Sequence, residues 1–156
     1  MNYLGLIIEA GKGVRVDPEK VKAILDWKFE DITSRSALRS FLGLCNYIRT
    51  FCHHSSSIAE PLTRLLKKDA LMDMGLEQRE AFESLKKLAT EAPVLAFFRP
   101  GRKTKVETDA SRNATRGVIW QLQDDEVWRP VGYFSKTMTP AERAYPIQDR
   151  ELLAVI

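Results

Sequence analysis

Two acids and one helix face carry the residue types that could do chemistry. Lys105 to Ser111 reads K-V-E-T-D-A-S, where Val106 and Thr108 alternate with Glu107 and Asp109. That is the period of a half-buried strand, and Ala-Ser after it is small and turn-like. Asp109 therefore stands at a strand end. Glu151 opens a helical run, E-L-L-A-V-I. Such a pair can converge on a divalent cation. Mg²⁺ wants oxygen ligands, and two-metal phosphodiester chemistry needs several carboxylates. On spacing alone, the pair reads more simply as two solvated acids. Cys45, Cys52, His53 and His54 are the other metal candidates by residue type. Their spacing, C-x6-C-H-H, does not match a zinc finger, and Cys45 falls on an apolar face, so a buried thiol beside a polar loop is expected. The sequence holds no Gly-rich phosphate loop and no Ser/His/Asp arrangement.

The helix face is Arg39, Gly43 and Tyr47, spaced i, i+4, i+8. It lies opposite an apolar stripe of Leu38, Phe41, Leu42, Cys45 and Ile48. Glycine inside a helix costs about 1 kcal/mol relative to alanine. Either a ligand backbone comes close where Gly43 has no side chain, or a second helix packs there and Arg39 is merely solvated. Spacing alone favours the packing.

The elements that must position these residues are legible in outline. Leu4 to Ile8 reads as a strand, and Gly11-Lys-Gly as a turn into Val14–Val16. Asp17-Pro18-Glu19 starts a helix that stops near Trp27: a capping acid, a proline in the first turn and a further acid at the positive end. Ser34 opens the helix just described. Phe51 to Ser57 reads as a loop, and Ile58 to Leu66 as a short helix with Pro61 in its first turn. Gly75 caps a fourth helix that Pro93 ends. Arg99 to Lys105 is a connector rich in Pro, Gly and basic residues. Strands follow over 105–109, 115–122 and 127–134, and a last helix near 146–156 reads as continuing.

Composition sets the outer limits. The 156 residues suffice for one domain or two small lobes, with 44% apolar residues to build a core. No apolar run approaches membrane-spanning length, and the first residues lack the basic leader of a signal peptide. Two cysteines make no disulfide framework, so an intracellular, reducing compartment is expected, in cytoplasm or nucleus. Net charge is +3. Residues 1–70 hold 11 Lys/Arg against 8 Asp/Glu, whereas residues 71–156 hold 13 of each. The excess hints mildly at a polyanionic partner.

Several segments together resemble the reverse transcriptases of gypsy-class LTR retrotransposons. They are N-Y-L-G-L-I-I-E-A-G-K-G-V-R-V-D-P-E-K-V-K-A-I-L-D-W, L-R-S-F-L-G-L-C-N-Y-I-R-T-F, I-A-E-P-L-T-R-L-L-K-K-D, E-A-F-E-S-L-K-K, A-P-V-L, V-E-T-D-A-S and P-V-G-Y-F-S-K-T-M-T-P-A-E-R-A-Y-P-I-Q-D-R-E-L-L-A-V-I. They span essentially the whole chain, in order.

The resemblance implies an α+β fold: a β-hairpin and helical thumb/connection segment, then a truncated RNase H-like lobe of three antiparallel strands and its first helix. Residues 1–33 would be the end of the palm with a primer-gripping hairpin, 34–98 thumb and connection, and 99–156 the incomplete RNase H-like domain. Leu4 and Gly5 would grip the primer. Arg39, Gly43 and Tyr47 would track the minor groove of the template–primer duplex, which lifts the ligand reading of that face above the packing one. Asp109 and Glu151 would be two of four carboxylates that hold Mg²⁺ to cleave the RNA of RNA/DNA hybrids. The other two are expected beyond Ile156 and the polymerase aspartates before Met1, so the chain by itself is expected to bind Mg²⁺ weakly or not at all and to be inactive. The Asp109 strand would then expose an edge suited to self-association. The chain departs from the family pattern at Arg116, where Gly is usual, at Lys28-Phe29 after Trp27, at Met74 for Trp, and at Gln148 for His.

Overall fold

The computed structural model describes residues 1–3, 5–52, 54–111 and 113–155, with the backbone alone for Asn2 and Tyr3. Leu4, one of the expected primer-gripping residues, and His53 lie outside the described residues. The chain begins with three short antiparallel strands, β1 (Asn2–Tyr3), β2 (Leu6–Glu9) and β3 (Gly13–Val16). Four helices follow: α1 (Pro18–Asp26), α2 (Arg35–Arg49), α3 (Ser55–Arg64) and α4 (Leu76–Glu91). A second antiparallel sheet comes next, with β4 (Thr104–Ala110), β5 (Ala114–Leu122) and β6 (Trp128–Thr137) side by side in that order. The short α5 (Pro140–Arg143) and α6 (Ile147–Leu153) close it. This is the mixed α+β architecture expected from the sequence.

Local chemistry explains the boundaries. The Asp17 carboxylate accepts from the Glu19 amide, and the Ser34 hydroxyl from the Ala37 amide, so α1 and α2 begin at capping side chains. α3 starts at Ser55, ahead of the expected Ile58, because His54 takes a left-handed conformation (φ 65°) that turns the chain into the helix. Pro61 thus lies inside α3 and not in its first turn. The last helical segment is broken in two: Thr139 and Glu142 cap α5 reciprocally, and Pro146 keeps Tyr145 from continuing the helix.

The main core lies among the four helices. Ile24, Leu38, Phe41, Ile48, Leu62, Phe82 and Leu85 are fully or almost fully buried. Phe41 sits 4.6 Å from Phe82, ring centre to ring centre, and Trp27 meets the Phe41 ring edge-on at 5.9 Å. The first sheet is tied to the end of this bundle by a two-way bridge. The Val14 amide donates to the Leu95 carbonyl (2.7 Å), and the Leu95 amide donates back (2.8 Å). Gly13 permits it: with φ 147°, a Cβ there would fall 2.0 Å from the Leu95 carbonyl oxygen.

The second sheet is stitched to the bundle through the backbone of β6. The Tyr133 amide donates to the Thr50 carbonyl (3.0 Å). The Ser135 carbonyl accepts from both Arg49 (2.9 Å) and the Ser56 hydroxyl (2.7 Å). At the far end Gln121, fully buried, holds the connector: its amide accepts from the Arg99 N–H (2.8 Å) and donates to the Arg99 carbonyl (3.0 Å) and the Thr104 hydroxyl (3.1 Å). Among the described residues no helix is long and apolar enough to cross a membrane.

Candidate nucleic-acid interface

Arg39 and Gly43 lie on the exposed side of α2, at the mouth of a cavity of about 420 Å³ between α2, α3 and the end of β6. Asn46, Arg49, Ser55, Ser56, Lys136 and Thr137 also line it, and no carboxylate does among the described residues. Leu42, Cys45, Leu66 and Leu85 supply apolar lining, and three cations with several hydroxyls give the wall polar groups suited to an anionic backbone. Arg39 makes no ion pair among the described residues. Arg49 is held on the Ser135 carbonyl (2.9 Å), and Lys136 pairs with Glu142 at 3.4 Å.

Gly43 is not there for helix packing. A Cβ built on it meets nothing within 4 Å. The close approach of a second helix, which spacing alone favoured, is absent. The glycine keeps open a stretch of helix surface.

Tyr47 belongs to a different wall. Its ring lies against Gly5, where an added Cβ would come 2.7 Å from a ring carbon, and the Lys20 ammonium stands 5.2 Å from the ring centre. The structure thus brings Tyr47 and Gly5 together, while Arg39 and Gly43 share the cavity beside them. Gly5 has φ 79°, which a glycine adopts without strain. Helix geometry explains the split. At 3.6 residues per turn, i+7 stays almost in line with i, whereas i+8 is rotated well away. Asn46, at i+7 from Arg39, is the residue that lines the cavity, and the sequence reading passed over it. Arg49, at i+10, is rotated about as far from Arg39 as Tyr47 but towards the cavity side, so the spacing rule did not mark it. Lys136 arrives from a distant strand and had no signal in the sequence.

Asp109 stands at the end of β4, opposite Arg116 on β5 in the antiparallel register. The Arg116 guanidinium is ion-paired with the Asp109 carboxylate, and its other nitrogen lies 2.7 Å from His54 Nδ1 at the start of α3. Glu107, on the same face of the strand, takes bonds from the Lys105 ammonium (2.8 Å) and the Trp120 indole (2.9 Å). Glu151 lies exposed on α6. The residues that follow it, Leu153 to Val155, share a cavity with Val106 and Thr108. Strand alternation sends Asp109 to the opposite face. Among the described residues no three His, Cys, Asp or Glu gather as a metal centre. A hard cation needs several available oxygens. Asp109, the acid expected to supply the first, already holds a guanidinium, so the donor set in this conformation does not fit Mg²⁺.

Cys45 and Cys52 are buried and unbridged, and they do not meet His54 in a metal cluster. Burial pushes the Cys45 thiol up to about 12 and Cys52 to about 11, the latter aided by the negative charge of Glu91. Both behave as small apolar side chains, as expected.

The profile of a family described as "RNase H-like domain found in reverse transcriptase" matches residues 74–156. The Tf2-3 and Tf2-4 transposon polyproteins of Schizosaccharomyces pombe are each 39% identical over 145 residues, which is 93% of this chain and 11% of theirs. The chain therefore spans about a tenth of the length of these curated relatives. Two foamy viral structures share the fold over 99% of the chain. The protease-reverse transcriptase dRH in complex with ds DNA superposes with a TM-score of 0.82 at 21% identity, over 27% of its own length. The protease-reverse transcriptase in complex with RNA/DNA hybrid gives 0.79 at 23% identity, over 21% of its length.

Proposed function

The chain belongs to the family of RNase H-like domains found in reverse transcriptases and is homologous to gypsy-class, Tf2-like LTR-retrotransposon polyproteins; from that premise we propose that it grips a nucleic-acid duplex and does not, by itself, cleave one. The carrying observation is the cavity between α2, α3 and β6, with Arg39, Arg49 and Lys136 around the open surface of Gly43 and, among the described residues, no carboxylate on its wall. The partner we assign is a template–primer duplex or RNA/DNA hybrid. The foamy viral enzymes of the same fold are described with ds DNA and with RNA/DNA hybrid.

In this reading residues 1–33 are the end of the palm, 34–98 thumb and connection, and 99–156 the RNase H-like part. Arg39 contacts a phosphate, and Gly43 lets the sugar–phosphate backbone come close. Gly5, with Tyr47 against it, holds the primer side together with Leu4. Asp109 and Glu151 remain the acids of a hybrid-cleaving site, with no third metal-binding side chain gathered beside them among the described residues. The setting is intracellular, as for a retrotransposon polyprotein.

Fluorescence anisotropy with a labelled RNA/DNA hybrid, at several salt concentrations and without metal, tests the proposal. Affinity should fall steeply with salt. Arg39→Ala should weaken binding and reduce the log–log salt slope by about 1, the signature of one lost phosphate contact. Binding that is indifferent to salt and to Arg39 would rule out this interface. Incubation with Mg²⁺ should leave the hybrid intact, and cleavage abolished by Asp109→Asn would overturn the second half of the proposal.

A further inference from the structure

Every carboxylate on the Asp109 face of β4 already has a cation or donor from the protein. Glu107 has Lys105 and Trp120, and Asp109 has Arg116. The last pairing is set by the fold, because Asp109 and Arg116 are direct cross-strand partners whose side chains leave the sheet on the same side. The Arg116 side chain is only 22% exposed, against 58% for Asp109, so the guanidinium lies beneath the carboxylate and not out in solvent. Its second arm donates to His54 Nδ1 at 2.7 Å. A guanidinium has only donors, so the imidazole must accept there and carry its own proton on Nε2. A fixed, permanently charged fork thus joins the end of β4 to the first residue before α3.

We infer that Arg116 takes the place of the divalent cation at Asp109: it neutralises the carboxylate, fills the direction a metal would approach from, and fastens that face of the sheet to α3 through His54. This residue converts a metal-facing strand end into an internal, metal-independent contact between sheet and helices. The inference rests on reading Asp109 as a metal-facing acid. It does not depend on duplex binding, which is measured without metal.

The probe is Mn²⁺ alone, added to the full isotope-labelled chain, with the amide signals of Glu107 to Ser111 followed for paramagnetic broadening. In the native chain, broadening there should rise only linearly, without saturation. In Arg116→Gly and in Arg116→Gln, which keeps the length of the side chain, it should saturate, with an affinity at least roughly threefold tighter than any native binding. Asp109→Asn added to either variant should abolish the gain. Saturation in the native chain would overturn the inference. So would folded variants that bind no better than the native chain, or a gain that survives Asp109→Asn. Should the glycine variant fail to fold, the glutamine variant and the native measurement decide.

Discussion

Gly43 offers a substitution whose effects on stability and on binding should have opposite signs. It lies in the interior of α2, a helix of 15 residues, where a Cβ would meet nothing within 4 Å. Replacing it by alanine removes the backbone entropy cost of a helical glycine and adds no clash. The gain should be about 1 kcal/mol. For a domain of this size that is a rise in Tm of about 2–4 °C. Leucine should retain most of the gain, since it is nearly as good a helix former. The same leucine projects into the space between Arg39 and Asn46, where the duplex backbone is proposed to come close. Gly43→Leu should therefore weaken hybrid binding at least about tenfold, and Gly43→Ala by less. The assays are urea or thermal unfolding for stability and anisotropy for binding. A destabilised Gly43→Ala would show that the glycine is required by packing after all. A stabilised Gly43→Leu that binds as tightly as the native chain would remove Gly43 from the interface.

Other expectations follow from single contacts. Gln121→Leu strips the Arg99 N–H and carbonyl of their partners inside the protein; it should cost about 2–4 kcal/mol by urea unfolding, and an unchanged midpoint would show that the connector finds other partners. Cys45 and Cys52, with thiols raised to about 12 and about 11, should resist iodoacetamide at pH 8 in the native chain and react fully in denaturant. The Arg129 guanidinium, on both oxygens of Asp125 at 2.7 and 2.5 Å, lowers that carboxyl from its ordinary 3.8 to about 2. The contribution of the pair is therefore present above the ordinary value and is lost as pH falls towards about 2. Carboxyl-carbon NMR should show Asp125 titrating near the lower value, and Arg129→Ala should return it towards 3.8.

The regular parts of this fold were legible because their patterns are local. The period of Leu38, Phe41, Cys45 and Ile48 gave the buried face of α2, and Asp17-Pro18 and Ser34 marked helix starts that the structure places at the same residues. The meander was readable from three β-rich runs and the acidic turn between the last two. The start of α3 was missed because its signal is a left-handed histidine, a conformation uncommon for any residue but glycine and so not one a sequence pattern marks. The candidate interface was half legible. Arg39 and Gly43 came from one helix, but Lys136 and the Ser135 carbonyl that anchors Arg49 come from a strand far along the chain. The partner of Asp109 was hidden for a similar reason. Arg116 stood out as a departure at a glycine position, yet only strand register places it opposite the acid.

The bridge between Val14 and Leu95 bears on the order in which the chain assembles. Its two hydrogen bonds close a loop that contains all four helices of the bundle. Bringing such distant residues together costs loop-closure entropy that the two bonds alone do not return. The helices can form from near neighbours, and once α1 and α4 pack they deliver the loop's two ends to one another. The first hairpin is therefore a late arrival on a preformed bundle. The surface where Gly5 meets Tyr47 would then be among the last parts of the molecule to form and the first to open.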